Sequence, residues 1–231
     1  MNTALLILNL SDPENRLAPD ASFDRANVTI QSPGQVPKAP PLIDSPVQTS
    51  AKVTEQFVIL YVVGHGVQRG LVDGKGVIVE EEDVANEIKK LRNGHPTLIV
   101  WDVCFARSML KIGASAQHSW PANFIHVFSC QPFERTWHSG PGATPARTVF
   151  SSVLCDVVAE LDAQSKGLFD WKQLEQRLQT EFGWTQKPTI EPVDAKWQPR
   201  DFELAKWLGV PVAAPSTMNR PAPAPAAIDL R

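Results

Sequence analysis

Hydrophobic residues in this chain come in short solid runs more than in strict alternation. Ala4–Leu10, Phe57–Val63, Thr97–Trp101 and Phe124–Ser129 are each dominated by aliphatic, β-branched or aromatic residues. Such runs predict strands covered on both faces, as in a parallel sheet. Asn27–Ile30 adds a short strand within a stretch that holds seven prolines between Pro13 and Pro46. Proline fixes φ and removes a donor, so this stretch predicts an irregular surface segment and no long helix. Val84, Ile88 and Leu91 fall at i, i+4 and i+7, which predicts a helix over Glu81–Asn93 closed by Gly94. Its acidic start (Glu80–Asp83) and basic end (Lys89, Lys90, Arg92) suit the helix dipole.

The second half carries broader stripes. Val149, Phe150, Val153, Leu154, Val157, Val158 and Leu161 predict a helix over Thr148–Ala163. Asp170 and Gln173 have the spacing of a capping box, with Trp171, Leu174, Leu178 and Phe182 as the buried face and Gly183 past the end. Gly70 and Asp73-Gly74 predict the turns of a hairpin. Ala106–Ile112 predicts a short helix and Gln131–Ala146 a loop. Lys187–Val193 predicts an edge strand, because Pro188 and Pro192 interrupt its donors. Strands alternating with helices predict an α/β fold, a three-layer sandwich with a mainly parallel central sheet flanked by helices. That domain covers residues 1–210, with residues 13–49 as an irregular segment inside it. Residues 211–231 are rich in Pro and Ala and predict a disordered tail.

Composition narrows the function. A chain of 231 residues with 43% hydrophobic content can bury a sizeable core. A formal charge of −3 and a pI near 6.0 give no basic footprint for nucleic acid. No apolar run reaches membrane-span length, and the first residues lack a basic leader, so neither a membrane nor a secretory role is expected. Three cysteines without a Cys-x-x-Cys pair fit free thiols in a reducing, cytoplasmic setting. No His and Cys pair has zinc-site spacing, so no metal is expected. Glu80–Asp83 reads as a solvated helix start.

The candidate chemistry lies where two of the runs stop. Phe57–Val63 gives way to Gly64-His65-Gly66, and Thr97–Trp101 gives way to Asp102-Val103-Cys104. Open α/β sheets bind ligands at the carboxyl ends of their strands. His65 and Cys104 are 39 residues apart, about one strand–helix–strand unit, which would make the two strands parallel neighbours. Cysteine attacks as the thiolate, and a histidine beside it takes and returns the proton. The flanking glycines allow a close backbone approach and leave N–H groups that can hold an oxyanion. Taken singly, Cys104 also reads as a buried thiol, His65 as a turn residue and Asp102 as a cap. Cys130, Cys155, His95 and His126 read as structural, and His118 and His138 as loop residues.

Tyr61–Gly66 (Y-V-V-G-H-G) resembles the Tyr-Ser-Gly-His-Gly box of caspase-like cysteine peptidases, especially metacaspases and their prokaryotic relatives. Asp102-Val103-Cys104 resembles their Asp-Ser-Cys nucleophile box. Ala4–Leu10, Phe128-Ser129-Cys130-Gln131, Phe150–Leu154 and Gln186-Lys187-Pro188 resemble further elements in the same order, so the likeness covers most of residues 3–193. It implies Cys104 as nucleophile and His65 as general base and acid. It implies an oxyanion hole from the Gly66 and Cys104 N–H groups. It also implies an S1 pocket of Asp102, Val63 and Ser129 that selects Arg or Lys, since a buried carboxylate favours a cation. Protein or peptide substrates, a regulatory partner and no cofactor follow from the same likeness, and no clear motif supports calcium activation. Arg135 and Arg147 are conceivable self-cleavage points. The chain departs from the pattern at Val63, where the box has serine, and at Phe105-Ala106-Arg107, where His-Ser-Gly is usual. Two other classes stay open: a non-catalytic caspase-like scaffold or regulatory module, and a small-molecule-binding α/β protein. The latter lacks a Gly-rich phosphate loop after the first strand.

Overall fold

The computed structural model describes residues 3–9, 28–31, 56–68, 70–72, 78–92, 94–110, 120–135, 149–184, 186–192 and 194–208. The proline-rich segment apart from its strand, Asp73-Gly74, residues 136–146, Arg147 and the tail from 211 lie outside the described residues. So do His118, His138 and the side chain of Leu91.

The strands are β1 (Thr3–Asn9), β2 (Val28–Gln31), β3 (Phe57–Val67), β4 (Gly70–Val72), β5 (Ile78–Glu80), β6 (Thr97–Val103), β7 (Phe124–Phe128) and β8 (Thr189–Glu191). The helices are α1 (Glu81–Arg92), α2 (Val149–Ser165), α3 (Trp171–Phe182) and α4 (Leu204–Leu208). The main sheet runs β2-β1-β3-β6-β7-β8. β1, β3, β6 and β7 are parallel, and β2 and β8 are antiparallel edges. β4 and β5 meander away from the far end of β3.

The solid apolar runs are explained by cover on both faces. Ile59, Tyr61, Val63, Leu98, Val100, Ile125 and Val127 face one cluster with α2, α3 and α4. Val58, Leu60, Val62, Ile99, Trp101 and Val103 face another with Val84 and Ile88 of α1 and with Leu71, Val79 and Met109. This is the expected three-layer α/β sandwich. Burying one such side chain contributes about 1.5–3 kcal/mol, so the doubly covered central strands contribute strongly to stability. Among the described residues no helix is long and apolar enough to cross a membrane.

The capping box forms as its spacing predicts. Asp170 Oδ1 accepts from Gln173 N at 2.7 Å, and Gln173 Oε1 accepts from Asp170 N at 2.9 Å. Four features differ from expectation. β3 runs past Val63 to Val67, because its end pairs with β4. Gly70 is not in a turn but in β4, where a Cβ would lie 1.9 Å from the Val79 carbonyl oxygen. Arg92 does more than complement the dipole at the end of α1. It is fully buried and donates to Thr97 Oγ1 at 2.8 Å, joining the helix end to the start of β6. The segment after β8 builds a 3-10 helix (Pro199–Phe202) and α4, neither of which the hydrophobic pattern announces. Phe202, Leu204, Trp207 and Leu208 enter the α2/α3 cluster, and Trp197 and Phe202 pack edge-on against Phe57.

Candidate active site

The register of the two central strands builds the site. β3 and β6 pair Val62 with Trp101, Val63 with Asp102 and Gly64 with Val103. His65 is the next residue of β3 and Cys104 the first residue after β6, so both stand at one carboxyl edge of the sheet. His65 is exposed and Cys104 is half-buried. The two glycines around His65 have separate reasons. Gly64 has φ 150°, a conformation that side-chain-bearing residues avoid. Gly66 lies against the nucleophile box itself: a Cβ there would sit 1.9 Å from the Cys104 carbonyl oxygen and 3.2 Å from Val103 Cβ. The histidine and cysteine boxes therefore touch backbone to backbone. Phe105, directly after Cys104, is left-handed at φ 57° and donates its N–H to the Glu134 carbonyl at 2.9 Å.

Asp102 is completely buried on the face that meets α2. Its Oδ2 accepts from Ser151 Oγ at 2.6 Å and from the Tyr61 hydroxyl at 3.4 Å, and the two hydroxyl oxygens are 2.8 Å apart. Burial, and then the charge of Asp102, push the Tyr61 hydroxyl well above its usual range, so it stays a donor. Ser151 lies in the first turn of α2, where the helix dipole favours a carboxylate. Val63 is buried beside Asp102 in register. Ser129 is also buried; its hydroxyl donates to the Val103 carbonyl at 3.1 Å, and its own carbonyl accepts from the Gln186 amide. All three residues expected in S1 are thus buried, Val63 and Asp102 as strand neighbours and Ser129 against the Val103 carbonyl.

The remaining cysteines and histidines sit apart from this edge or under it. Cys130 is buried, with Sγ 3.4 Å from the carbonyl oxygens of both Val103 and Glu134, and burial pushes its thiol up to about 11. Cys155 belongs to the core on α2. His126 is stacked against Phe128 and accepts from Trp101 Nε1 at 3.1 Å through Nδ1. Burial lowers its pKa to about 3, so it is neutral. His95 is exposed in the turn between α1 and β6, and its carbonyl accepts from Asn123 at 2.6 Å. Among the described residues no group of three or more His, Cys, Asp or Glu could hold a metal ion. A cleft of about 470 Å³ between the end of α2 and α4, lined by Asp162, Phe169, Arg200 and Lys206, shares no residue with the His65–Cys104 edge.

Sequence reasoning assigned no role to Ser151, Arg107, Gln131 or Glu134. Arg107 donates to Gln131 Oε1 at 2.9 Å and forms an ion pair with Glu191, tying the segment after Cys104 to β8. Ser151 left one trace, since Ser151-Ser152 interrupts the apolar stripe at the start of α2.

No family model and no curated protein matches the chain. Among solved structures it is similar to caspase-1 from Spodoptera frugiperda, with 15% identity over 60% of each chain and a TM-score of 0.38. The chain thus spans less than two thirds of that protein. At this distance the chemistry of the site rests on the residues described above.

Proposed function

We propose that this chain is a caspase-like cysteine endopeptidase in which Cys104 is the nucleophile and His65 the general base and acid. The supporting observation is the parallel register of β3 and β6, which carries both residues to one sheet edge with Gly66 pressed on the Cys104 carbonyl. His65 takes the Cys104 proton as sulfur attacks the peptide carbonyl carbon. The Gly66 and Cys104 N–H groups hold the developing oxyanion. The tetrahedral intermediate collapses, the C–N bond breaks and His65 returns the proton to the leaving amine. Water, deprotonated by His65, then hydrolyses the thioester. No cofactor takes part.

Asp102, with Val63 and Ser129 beside it, is the carboxylate that selects Arg or Lys at P1. Ser151 and Tyr61 already donate to one of its oxygens, which keeps it an acceptor for a cation. The substrates are therefore proteins or peptides with basic residues, and the setting is cytoplasmic.

The test is cleavage of Arg and Lys reporter peptides by wild type, Cys104→Ala and Asp102→Ala. Cys104→Ala is expected to lower kcat by at least about 1,000-fold. An alanine variant as fast as wild type would show that Cys104 is not the nucleophile; a wild type that cleaves no reporter would instead favour a non-catalytic module. Asp102→Ala is expected to lose basic substrates selectively; equal loss on all P1 residues would refute its specificity role.

A further inference from the structure

We propose that Glu134 is a positioning residue for Cys104, acting through the left-handed turn at Phe105. This rests on the reading of Cys104 as nucleophile. A bulky aromatic at φ 57° is an outlier and persists only where its surroundings over-determine it. From one side the Cys104 carbonyl is packed on Gly66. From the other, the Glu134 carbonyl accepts the Phe105 N–H at 2.9 Å and lies 3.4 Å from Cys130 Sγ.

The Glu134 side chain fixes that carbonyl. Its Oε2 accepts from Gln131 N at 2.9 Å and from Lys187 N at 3.0 Å. Glu134 N donates back to the Gln131 carbonyl at 3.1 Å, closing a tight turn after β7. One carboxylate oxygen thus ties the loop after β7 to the segment that leads into β8. A second tie runs parallel to it. Arg107 reaches Gln131 and Glu191, and Gln131 Nε2 donates to the Lys187 carbonyl at 2.9 Å. Glu134 thus joins its own loop after β7 to two other segments, the turn that carries Cys104 through Phe105 and the approach to β8 through Lys187.

The consequence is geometric. Without the carboxylate, the Glu134 carbonyl is no longer aimed at Phe105 N–H, and Phe105 is free to relax toward negative φ. The peptide after Cys104 then rotates, and the sulfur moves relative to His65. A displacement near 1 Å at a reacting atom costs about 100-fold in rate. Glu134 touches no reacting atom, so its effect appears in turnover and not in substrate affinity.

The experiment compares wild type with Glu134→Ala and Glu134→Gln in the full chain. The glutamine oxygen still accepts from both backbone N–H groups. Glu134→Ala is expected to lower kcat on an Arg reporter peptide by about 10- to 100-fold, with KM within about twofold. Glu134→Gln is expected to recover to within about threefold of wild type. A second readout needs no peptidase activity: the rate at which iodoacetamide alkylates Cys104, followed by peptide mass spectrometry. It is expected to change at least threefold in Glu134→Ala and to return in Glu134→Gln. If wild type cleaves no reporter, the alkylation series alone decides. Should Glu134→Ala fail to fold, Glu134→Asp, one methylene shorter, takes its place in the comparison. An alanine variant with wild-type kcat and wild-type alkylation overturns the proposal. So does a folded glutamine variant as impaired as the alanine one.

Discussion

The sheet holds two histidine and cysteine neighbourhoods that share residue types and differ in everything that governs reactivity. His126 stands in the middle of β7, stacked on Phe128 and hydrogen-bonded to Trp101, and burial keeps it neutral down to about pH 3. Cys130 lies just past the end of the same strand, fully covered, with its thiol pushed up to about 11. Both are silent at neutral pH. His65 and Cys104 stand at the ends of β3 and β6, one exposed and one half-buried, where glycines let the two backbones touch. Cys130 also follows a strand end, so position is not sufficient. Access and a partner on the neighbouring strand separate the candidate nucleophile from the structural thiol.

The most forceful way to break this contrast is to separate the two backbones. Gly66→Ala places a Cβ 1.9 Å from the Cys104 carbonyl oxygen, which only a backbone shift can relieve. Its expected cost is about 1–3 kcal/mol of stability and at least about 100-fold in kcat. Gly70→Ala meets an equal clash, with the Val79 carbonyl, but away from Cys104. It should lose comparable stability and keep most of the activity of its folded fraction. Urea unfolding with kcat on the same samples separates the two. Equal losses of turnover would mean that Gly66 matters only for folding.

A smaller effect sharpens the silent side. The folded-state pKa of His126 lies below that of the unfolded chain, so the unfolded state binds more protons below pH 6.5. The stability from its neutral form is complete above about pH 6.5 and is lost as pH falls toward 3. The limiting slope is about 1.4 kcal/mol per pH unit. His126→Gln keeps an acceptor for Trp101 and does not titrate, so its stability should fall less between pH 6.5 and 5. Its activity near pH 7 should match wild type per folded molecule. An unchanged acid slope would show that His126 is not the group responsible.

The layers of this fold were legible because both faces of the central strands are covered, which leaves solid apolar runs. Asp170 and Gln173 were legible to the residue, since a capping box is local. Two of the misses share a cause, a contact made outside the local stretch. Gly70 reads as a turn because the contact that demands it, with Val79, comes from another strand. Arg92 reads only as an end charge that suits the α1 dipole, because its acceptors, Thr97 Oγ1 and the Pro96 carbonyl, lie beyond the helix. α4 is too short to display a helical period. At the site, His65, Asp102 and Cys104 stood out because polar groups arrive where apolar runs end. Ser151 and Glu134 did not. Ser151 meets Asp102 across 49 positions, and Glu134 acts partly through its backbone carbonyl, which no side-chain pattern reveals.

The most direct test is covalent capture of the nucleophile. Wild type and His65→Ala are treated at neutral pH with a peptidyl-arginine halomethyl ketone, and the modified cysteine is located by mass spectrometry. The account predicts one adduct, on Cys104, with Cys130 and Cys155 unmodified and labelling slowed at least about 100-fold without His65. Labelling of Cys130 in preference to Cys104, or equal rates with and without His65, would contradict it.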